Sequence, residues 1–250
     1  MRSLPDRVAA SAVAVALALH ARFCLLDDRP PADLGHYYDG VRAFVVEGRW
    51  PDTPYAALLG LLFRALGPSA ALIEAIDGLW LAVLLGGVWL AGRSVAPWAG
   101  AGAVVATASF AQTHVLARTH WIHHPEAAML CGAVGLATLP GAAAGVGSAI
   151  LLALGTTTRE TGVPFGVVAI AFVALRHRVA ALAGVAGVAW VAPGLADYVG
   201  KKVASVEGYA ASVTAPWAQA GESLGWPVAA GIAPAVLAGA RRHAVVALAA

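Results

Sequence analysis

The sequence predicts an all-α membrane protein, a polytopic bundle of about eight or nine transmembrane helices with interfacial helices in its first outer loop. Of its 250 residues 60% are hydrophobic and only 12% are charged, and the mean hydropathy is +0.75. Soluble domains carry about 25% charged residues, so this chain belongs in a bilayer. Alanine and glycine dominate the apolar runs, as suits helices that pack closely in lipid. The net charge of +2 comes from scattered residues, which excludes a nucleic-acid-binding surface.

Apolar runs separated by short polar breaks predict the individual helices. The first run leads into His20 and Arg22 rather than into a small-residue cleavage site, so we interpret it as a retained helix and not a signal peptide. Residues 55–66 are too short to cross a bilayer and predict an interfacial or re-entrant helix. Leu139, Pro140 and Gly141 mark a turn. The predicted spans cover about residues 8–26, 70–91, 96–116, 125–139, 142–158, 162–175, 179–196 and 226–240, with a ninth beginning near His243.

The distribution of arginine predicts the orientation. With the N-terminus in the cytoplasm, one set of loop and helix ends is rich in arginine and holds a single acid, Asp6, which is the positive-inside pattern. The arginines of that set are Arg2, Arg7, Arg93, Arg176, Arg178, Arg241 and Arg242. Four polar segments then meet on the outer face: 27–52, 118–126, 159–160 and the last outer loop, 197–225. Convergence of this kind is what an active site requires.

The first outer loop, 27–69, begins with an acidic segment that contains Asp33. Asp33 follows two prolines, Pro30 and Pro31, and precedes an amphipathic pattern over 37–45 that predicts a helix lying in the interface. An apolar surround raises the pKa of a carboxyl group and makes it a competent general base. The other interpretation is a solvated acid that caps the helix.

The segment 118–126, RTHWIHHPE, contains His120, His123 and His124, followed by Glu126. The histidine spacing is that of a metal-binding helix face, but Pro125 should end one helix or start the next, and no further ligand is evident. Histidines that hydrogen-bond a polar substrate and ordinary boundary residues are the other interpretations. We assign no metal site.

Two more segments carry charge at membrane level. The segment TTTRETG at 156–162 contains Arg159 and Glu160 between two apolar runs. The arginine either pairs with Glu160 or binds a phosphate, and a phosphate in the outer leaflet belongs to a lipid. Glu74 and Asp77 lie three residues apart on one helical face. They either line an aqueous cavity or pair with Arg22 or Arg64.

These segments resemble, in order and spacing, the GT-C superfamily of polytopic glycosyltransferases, which includes protein O-mannosyltransferases and aminoarabinose transferases. PPADLGHYY at 30–38 stands where the family has an acidic motif after its first helix. VVEGRWPDTPYAALLGLLFRALG at 45–67, HHPEAAML at 123–130 and LALGTTTRETG at 152–162 are similar to the later motifs. The resemblance covers most of residues 1–178, and it identifies the chain as a single transmembrane domain, 1–250, of a C-terminally shortened member.

The resemblance implies an inverting transfer of sugar from a polyprenyl-phosphate donor to a lipid, protein or glycan acceptor on the periplasmic face of a bacterial inner membrane. Asp33 is then the base that deprotonates the acceptor, and Arg159 neutralises the departing lipid phosphate. Donor and acceptor binding is expected at Arg159, Glu126, His124, His123, Tyr37 and Asp28. No cofactor is implied with certainty, and a divalent metal ion is compatible with the family.

Two departures from the family keep alternatives open. Leu34 replaces the glutamate that usually follows the catalytic aspartate, so Asp27 or Asp28 is an alternative base. The chain also ends inside an apolar run, which favours an inactive relative as a second interpretation. A transporter or flippase would show inverted repeats, and none is visible in the sequence. A membrane metalloenzyme would need a ligand beyond the three histidines.

Overall fold

The computed structural model describes residues 3–26, 41–42, 44–51, 53–67, 69–110, 113–114, 117, 123–158 and 163–204, and the secondary structure in these ranges is helical, without strands. The all-α prediction is confirmed. Contacts group the chain into one compact unit, Met1–Asp197, and a second, Tyr198–Ala250, of which the structure describes the helical residues 198–204. The described helices are α1 (Leu4–Leu26), α2 (Pro54–Leu66), α3 (Ala70–Val95), α4 (Pro97–Ser109), α5 (His123–Ala137), α6 (Ala142–Thr157), α7 (Val163–Ala174) and α8 (Arg178–Ala204).

Contacts between helix ends define one end of the first unit, where α1 begins and where α3, α5 and α7 end. Asp6 at the start of α1 lies 3.5 Å from the Arg93 guanidinium at the end of α3. The Thr138 hydroxyl after α5 is 3.5 Å from the Leu90 carbonyl of α3, and Arg176 after α7 donates to the Thr138 carbonyl at 3.4 Å. We call this end of the unit the arginine end. His20, Asp77, His124 and Glu126 lie at the opposite end, which we call the polar end.

Seven apolar runs were predicted in the described part of the chain, and each contains a helix. Among the described residues, three helices are long and apolar enough to cross a membrane: Leu4–Leu25, Ala70–Val95 and Arg178–Leu195. Helices α2, α6 and α7 are apolar but shorter. The turn predicted at 139–141 is confirmed, since α5 ends at Ala137 and α6 begins at Ala142. The spans predicted at 226–240 and from His243 lie outside the described residues.

The span predicted for 96–116 is not one continuous helix, because α4 ends at Ser109 and the next described residues, 113–114, are helical again. Phe110 adopts an extended conformation, with φ −80° and ψ 117°. The Thr113 hydroxyl then donates to the Thr107 carbonyl at 2.9 Å, and the His114 Nε2–H donates to the Ala108 carbonyl at 2.7 Å. Side chains therefore satisfy the last carbonyls of α4, a role that a continuing backbone would otherwise fill.

The three long helices bury little of their apolar surface inside the protein. Between 17% and 33% of each spanning segment is buried. Large apolar side chains such as Phe23, Phe172 and Trp190 are exposed. In water such a surface would drive aggregation, whereas lipid acyl chains solvate it without cost. The exposed faces therefore suit a membrane protein whose helices contact lipid.

A buried serine links α5 to α6. Ser148 is fully buried and its hydroxyl donates to the Ala133 carbonyl at 2.8 Å. We expect Ser148→Ala to lower the free energy of unfolding by about 1 kcal/mol, the usual contribution of an interhelical hydrogen bond in a membrane. Thermal melting in detergent measures the change. Ser94→Ala is the matched control, because that exposed hydroxyl bonds only to Ala91 of its own helix; an equal loss in both variants would contradict the prediction.

Candidate functional site

Four ionisable side chains are buried together at the polar end. His20 of α1, Asp77 of α3, and His124 and Glu126 of α5 are each exposed by only 2–6%. Burying an ionisable group is costly unless its surroundings provide hydrogen bonds or opposite charge. Such groups within membrane helices mark functional sites more often than packing. This cluster, which we call the polar cluster, is therefore the candidate site in the described part of the chain.

His20 contacts the backbone of α3 across the helix interface. Its ring Nε2 lies 3.2 Å from the Glu74 carbonyl and 3.7 Å from the Cys24 sulfur. A carbonyl oxygen only accepts, so Nε2 carries the hydrogen and donates it. Gly78 makes room for the ring, because a Cβ at that position would lie 3.3 Å from His20 Cδ2. The absent side chain of Gly78 thus lets α1 approach α3 at the polar end.

His124 makes the equivalent contact to α3 from α5. Its Nε2 lies 3.3 Å from the Asp77 carbonyl and donates to it for the same reason. His124 is the second residue of α5, outside the three spanning segments. Burial, and to a smaller extent the charge of His20, lowers the pKa of His124 to about 4. The ring is therefore neutral at physiological pH and can donate or accept a hydrogen bond to a polar ligand.

Glu126 lies in the first turn of α5, where the positive end of the helix dipole favours a carboxylate. Pro125 beside it fits the same turn, since the first helical residues need no backbone N–H donor. Sequence analysis predicted Glu126 and His124 as binding residues, and the structure places both in the polar cluster. For His123 it describes only the backbone, as the first residue of α5.

Two aromatic rings border the polar cluster. Trp80 of α3 donates its indole N–H to the Tyr55 hydroxyl of α2 at 3.1 Å, with ring centroids 6.0 Å apart. Both rings are buried and pack with Ala128 and Met129 of α5. The sequence predicted only an interfacial or re-entrant helix for residues 55–66. The structure confirms a helix there and adds that Tyr55, its second residue, packs in the core with Trp80, Ala128 and Met129.

The three threonines before Arg159 serve their own helix. The hydroxyls of Thr156, Thr157 and Thr158 donate to the carbonyls four residues earlier, at 2.6–2.8 Å. All three side chains are buried, and Thr158 is exposed by only 1%. These hydroxyls therefore stabilise the end of α6 and keep it within the core. The following residue, Arg159, lies outside the described residues.

The remaining predicted site residues, Asp33, Tyr37 and Asp28, also lie outside the described residues. The same holds for His120, so the three-histidine metal face is not described as a unit. Within the described ranges, no group of three or more histidine, cysteine, aspartate or glutamate residues has the geometry to hold a metal ion.

Sequence analysis assigned no role to His20 and left Asp77 with two interpretations. The structure shows that both belong to the polar cluster, on helices distant from α5 in sequence. The signal for Asp77 was the presence of an acid inside an apolar run. No signal pointed to His20, because its partner is a backbone carbonyl of another helix.

Comparisons of the chain with protein-family models, with curated proteins and with solved structures give no match.

Proposed function

We propose that this protein is an integral membrane glycosyltransferase that transfers a sugar from a polyprenyl-phosphate donor to an acceptor on the non-cytoplasmic face. The observation that carries the proposal is the convergence of chain segments at the polar end. The end of α1, which precedes the acidic segment, lies there, since His20 bonds to α3. The start of α5 lies there as well, with His124 and Glu126 buried.

The end of α6 lies at the same end of the unit. Gly155 of α6 packs against Leu130 and Met129 of α5, where an added Cβ would lie 2.9 Å from Leu130. The end of α6, near Thr158, therefore lies towards the N-terminal end of α5, which begins at His123. This supports an arrangement in which Arg159, one residue later, approaches the polar cluster from α6 while the acidic segment approaches from α1.

The chemistry that we assign to these residues is an inverting displacement. Asp33 accepts the proton of the acceptor hydroxyl, whose oxygen attacks the anomeric carbon of the donor. The bond from that carbon to the phosphate oxygen breaks, and the phosphate leaves with the electron pair. Arg159 binds the departing phosphate bidentately, as a guanidinium can. Glu126 and His124 orient sugar or acceptor hydroxyls, with His123, Tyr37 and Asp28 as further binding residues.

The finer features of the sequence prediction belong to the same proposal. They are eight or nine spans, a cytoplasmic N-terminus, and location in a bacterial inner membrane with the polar end facing the periplasm. The arrangement of arginines supports the orientation, because Arg93, Arg176 and Arg178 lie at the end opposite the polar cluster. A divalent ion is compatible with the proposal and is assigned no residue.

One observation favours a transporter as the second candidate function. Buried ionisable residues in membrane helices also form the ion pathways of transporters, and the polar cluster contains two acids and two histidines. A transporter predicts ligand-dependent flux across vesicles without cleavage of the sugar–phosphate bond, whereas a transferase predicts cleavage. A catalytically inactive relative predicts donor binding without either.

The decisive experiment measures release of radiolabelled sugar from a polyprenyl-phosphate hexose in membranes that contain the protein. We expect Asp33→Asn to lower the rate by at least about a hundredfold, because general-base catalysis contributes factors of 10² to 10⁴. Asp39→Asn, the same change six residues later in the sequence, is the matched control and retains the rate. A parallel sample with EDTA tests the divalent ion.

The other outcomes separate the alternatives. If Asp33→Asn retains the rate, the base is Asp27 or Asp28, and their asparagine variants identify which. If no sugar is released by well-expressed wild-type protein, the transferase proposal is overturned. Donor binding that is then lost in Arg159→Gln would support the inactive relative, and flux across vesicles would support the transporter.

A further inference from the structure

The two buried histidines contact α3 at two positions on one face. The backbone carbonyl of Glu74 accepts from His20, and that of Asp77 accepts from His124. The two residues are three positions apart and so lie on the same side of the helix. The two rings come from α1 and α5, helices that are separated in sequence by the 96 residues from 27 to 122. One face of α3 is therefore bonded to both of the helices that lead into the predicted site.

Each of these two hydrogen bonds fixes the position of one helix against α3. In lipid no hydrophobic driving force holds helices together, so hydrogen bonds and close packing set their relative positions. At the arginine end, α1 is held to α3 by the Asp6–Arg93 ion pair, 3.5 Å long. At the polar end the His20 ring of α1 is seated over Gly78 and bonds to the Glu74 carbonyl of α3. His20 thus fixes the end of α1 that continues into the acidic segment.

We propose that His20 and His124 are paired positioning residues that hold the ends of α1 and α5 in register on α3, so that the end of α1 and Glu126 of α5 lie at one site. The half of this inference that concerns catalysis rests on the proposed function. The half that concerns helix register does not. Loss of either Nε2–H donor releases one of the two helices locally, while the arginine end stays in place.

The first test removes the donor and measures amide hydrogen exchange of the full-length protein in nanodiscs. In His20→Leu we expect faster exchange in residues 17–26 and unchanged exchange in residues 4–12. His20→Gln is the conservative variant, because its amide nitrogen is an N–H donor with a reach similar to that of Nε2. It restores slow exchange. For His124→Leu we expect faster exchange of the backbone amides in residues 124–128, and for His124→Gln we expect slow exchange to be restored.

A second variant displaces His20 without altering it. Gly78→Val inserts a side chain against the His20 ring, whereas Gly86→Val, on the same helix, meets nothing within 4 Å of its Cβ. We expect Gly78→Val to reproduce the local exchange pattern of His20→Leu and Gly86→Val to leave it unchanged. This pair keeps the inference testable if removal of the histidine prevents folding.

The rate of sugar release then distinguishes a positioning role of His20 from a purely stabilising one. For sugar release from the labelled donor we expect His20→Leu to lower kcat between about tenfold and a hundredfold, with KM nearly unchanged and recovery in His20→Gln, because misplacement by about 1 Å costs rates of that order. If His20→Leu shows the local increase in exchange but the wild-type protein releases no sugar, the register is supported and the proposed function is overturned. Three results overturn the positioning inference: no change in exchange, faster exchange along the whole chain, or a local change that leaves kcat unaltered.

Discussion

Replacing Gly87 with alanine is expected to destabilise the protein by about 1–3 kcal/mol, and replacing it with valine by more, so that little folded protein remains. A Cβ at Gly87 of α3 would press on the Cys131 carbonyl of α5 and lie 2.6 Å from the Gly132 nitrogen. These atoms belong to a helix backbone and cannot rotate away. The contact is reciprocal, since a Cβ at Gly135 would lie 2.6 Å from the Gly87 carbonyl oxygen.

The neighbouring residue provides the control for this prediction. A Cβ at Gly86 meets nothing within 4 Å, so Gly86→Ala should leave the melting temperature unchanged or raise it through the better helix propensity of alanine. Thermal melting of both variants in the same detergent shows whether the melting temperature falls for Gly87→Ala and stays or rises for Gly86→Ala. Equal melting temperatures for the Gly86 and Gly87 variants would show that α3 and α5 do not approach as closely as the structure has them.

Close contact of this kind explains why sequence analysis located the helices but not their partners. Apolar runs and the turn at 139–141 predicted where helices begin and end, because both are local properties of the chain. A helix that contacts lipid on one side and protein on the other is apolar all round, so the pattern does not indicate which face is buried. In α3 two glycines mark where the neighbours approach, since Gly78 admits the His20 ring of α1 and Gly87 admits the backbone of α5.

The candidate site was predictable to the same degree. His124 and Glu126 stood out because polar residues interrupted an apolar stretch at the start of α5, and both are buried in the polar cluster. His20 did not stand out, since its hydrogen bond to the Glu74 carbonyl depends on how α1 and α3 pack. The early end of α4 was missed for a related reason. Thr113 and His114 satisfy carbonyls of α4 through side chains, which hydropathy does not register.

Acid is expected to destabilise the protein through His124. Burial lowers the pKa of the folded-state ring to about 4 from an ordinary 6.5. Above pH 6.5 both folded and unfolded chains carry a neutral ring, so the full stability is present. As the pH falls below 6.5, the unfolded chain takes up a proton that the folded chain does not take up until about pH 4. The free energy of unfolding therefore falls by about 2 kcal/mol between pH 7 and pH 5 from this residue.

The measurement is the melting temperature of the detergent-solubilised protein between pH 7 and pH 5, above the range in which ordinary carboxylates titrate. A loss of about 2 kcal/mol corresponds to a decrease of about 4–8 °C for a chain of this size. His124→Gln, which cannot be protonated, should lose most of this decrease, because the same amide is present in both states at either pH. His177→Gln is the matched control: it removes a histidine that bonds to the Leu139 carbonyl at the arginine end, and it should retain the decrease. An unaltered pH dependence in His124→Gln would mean that the buried ring is not the group whose protonation opposes folding.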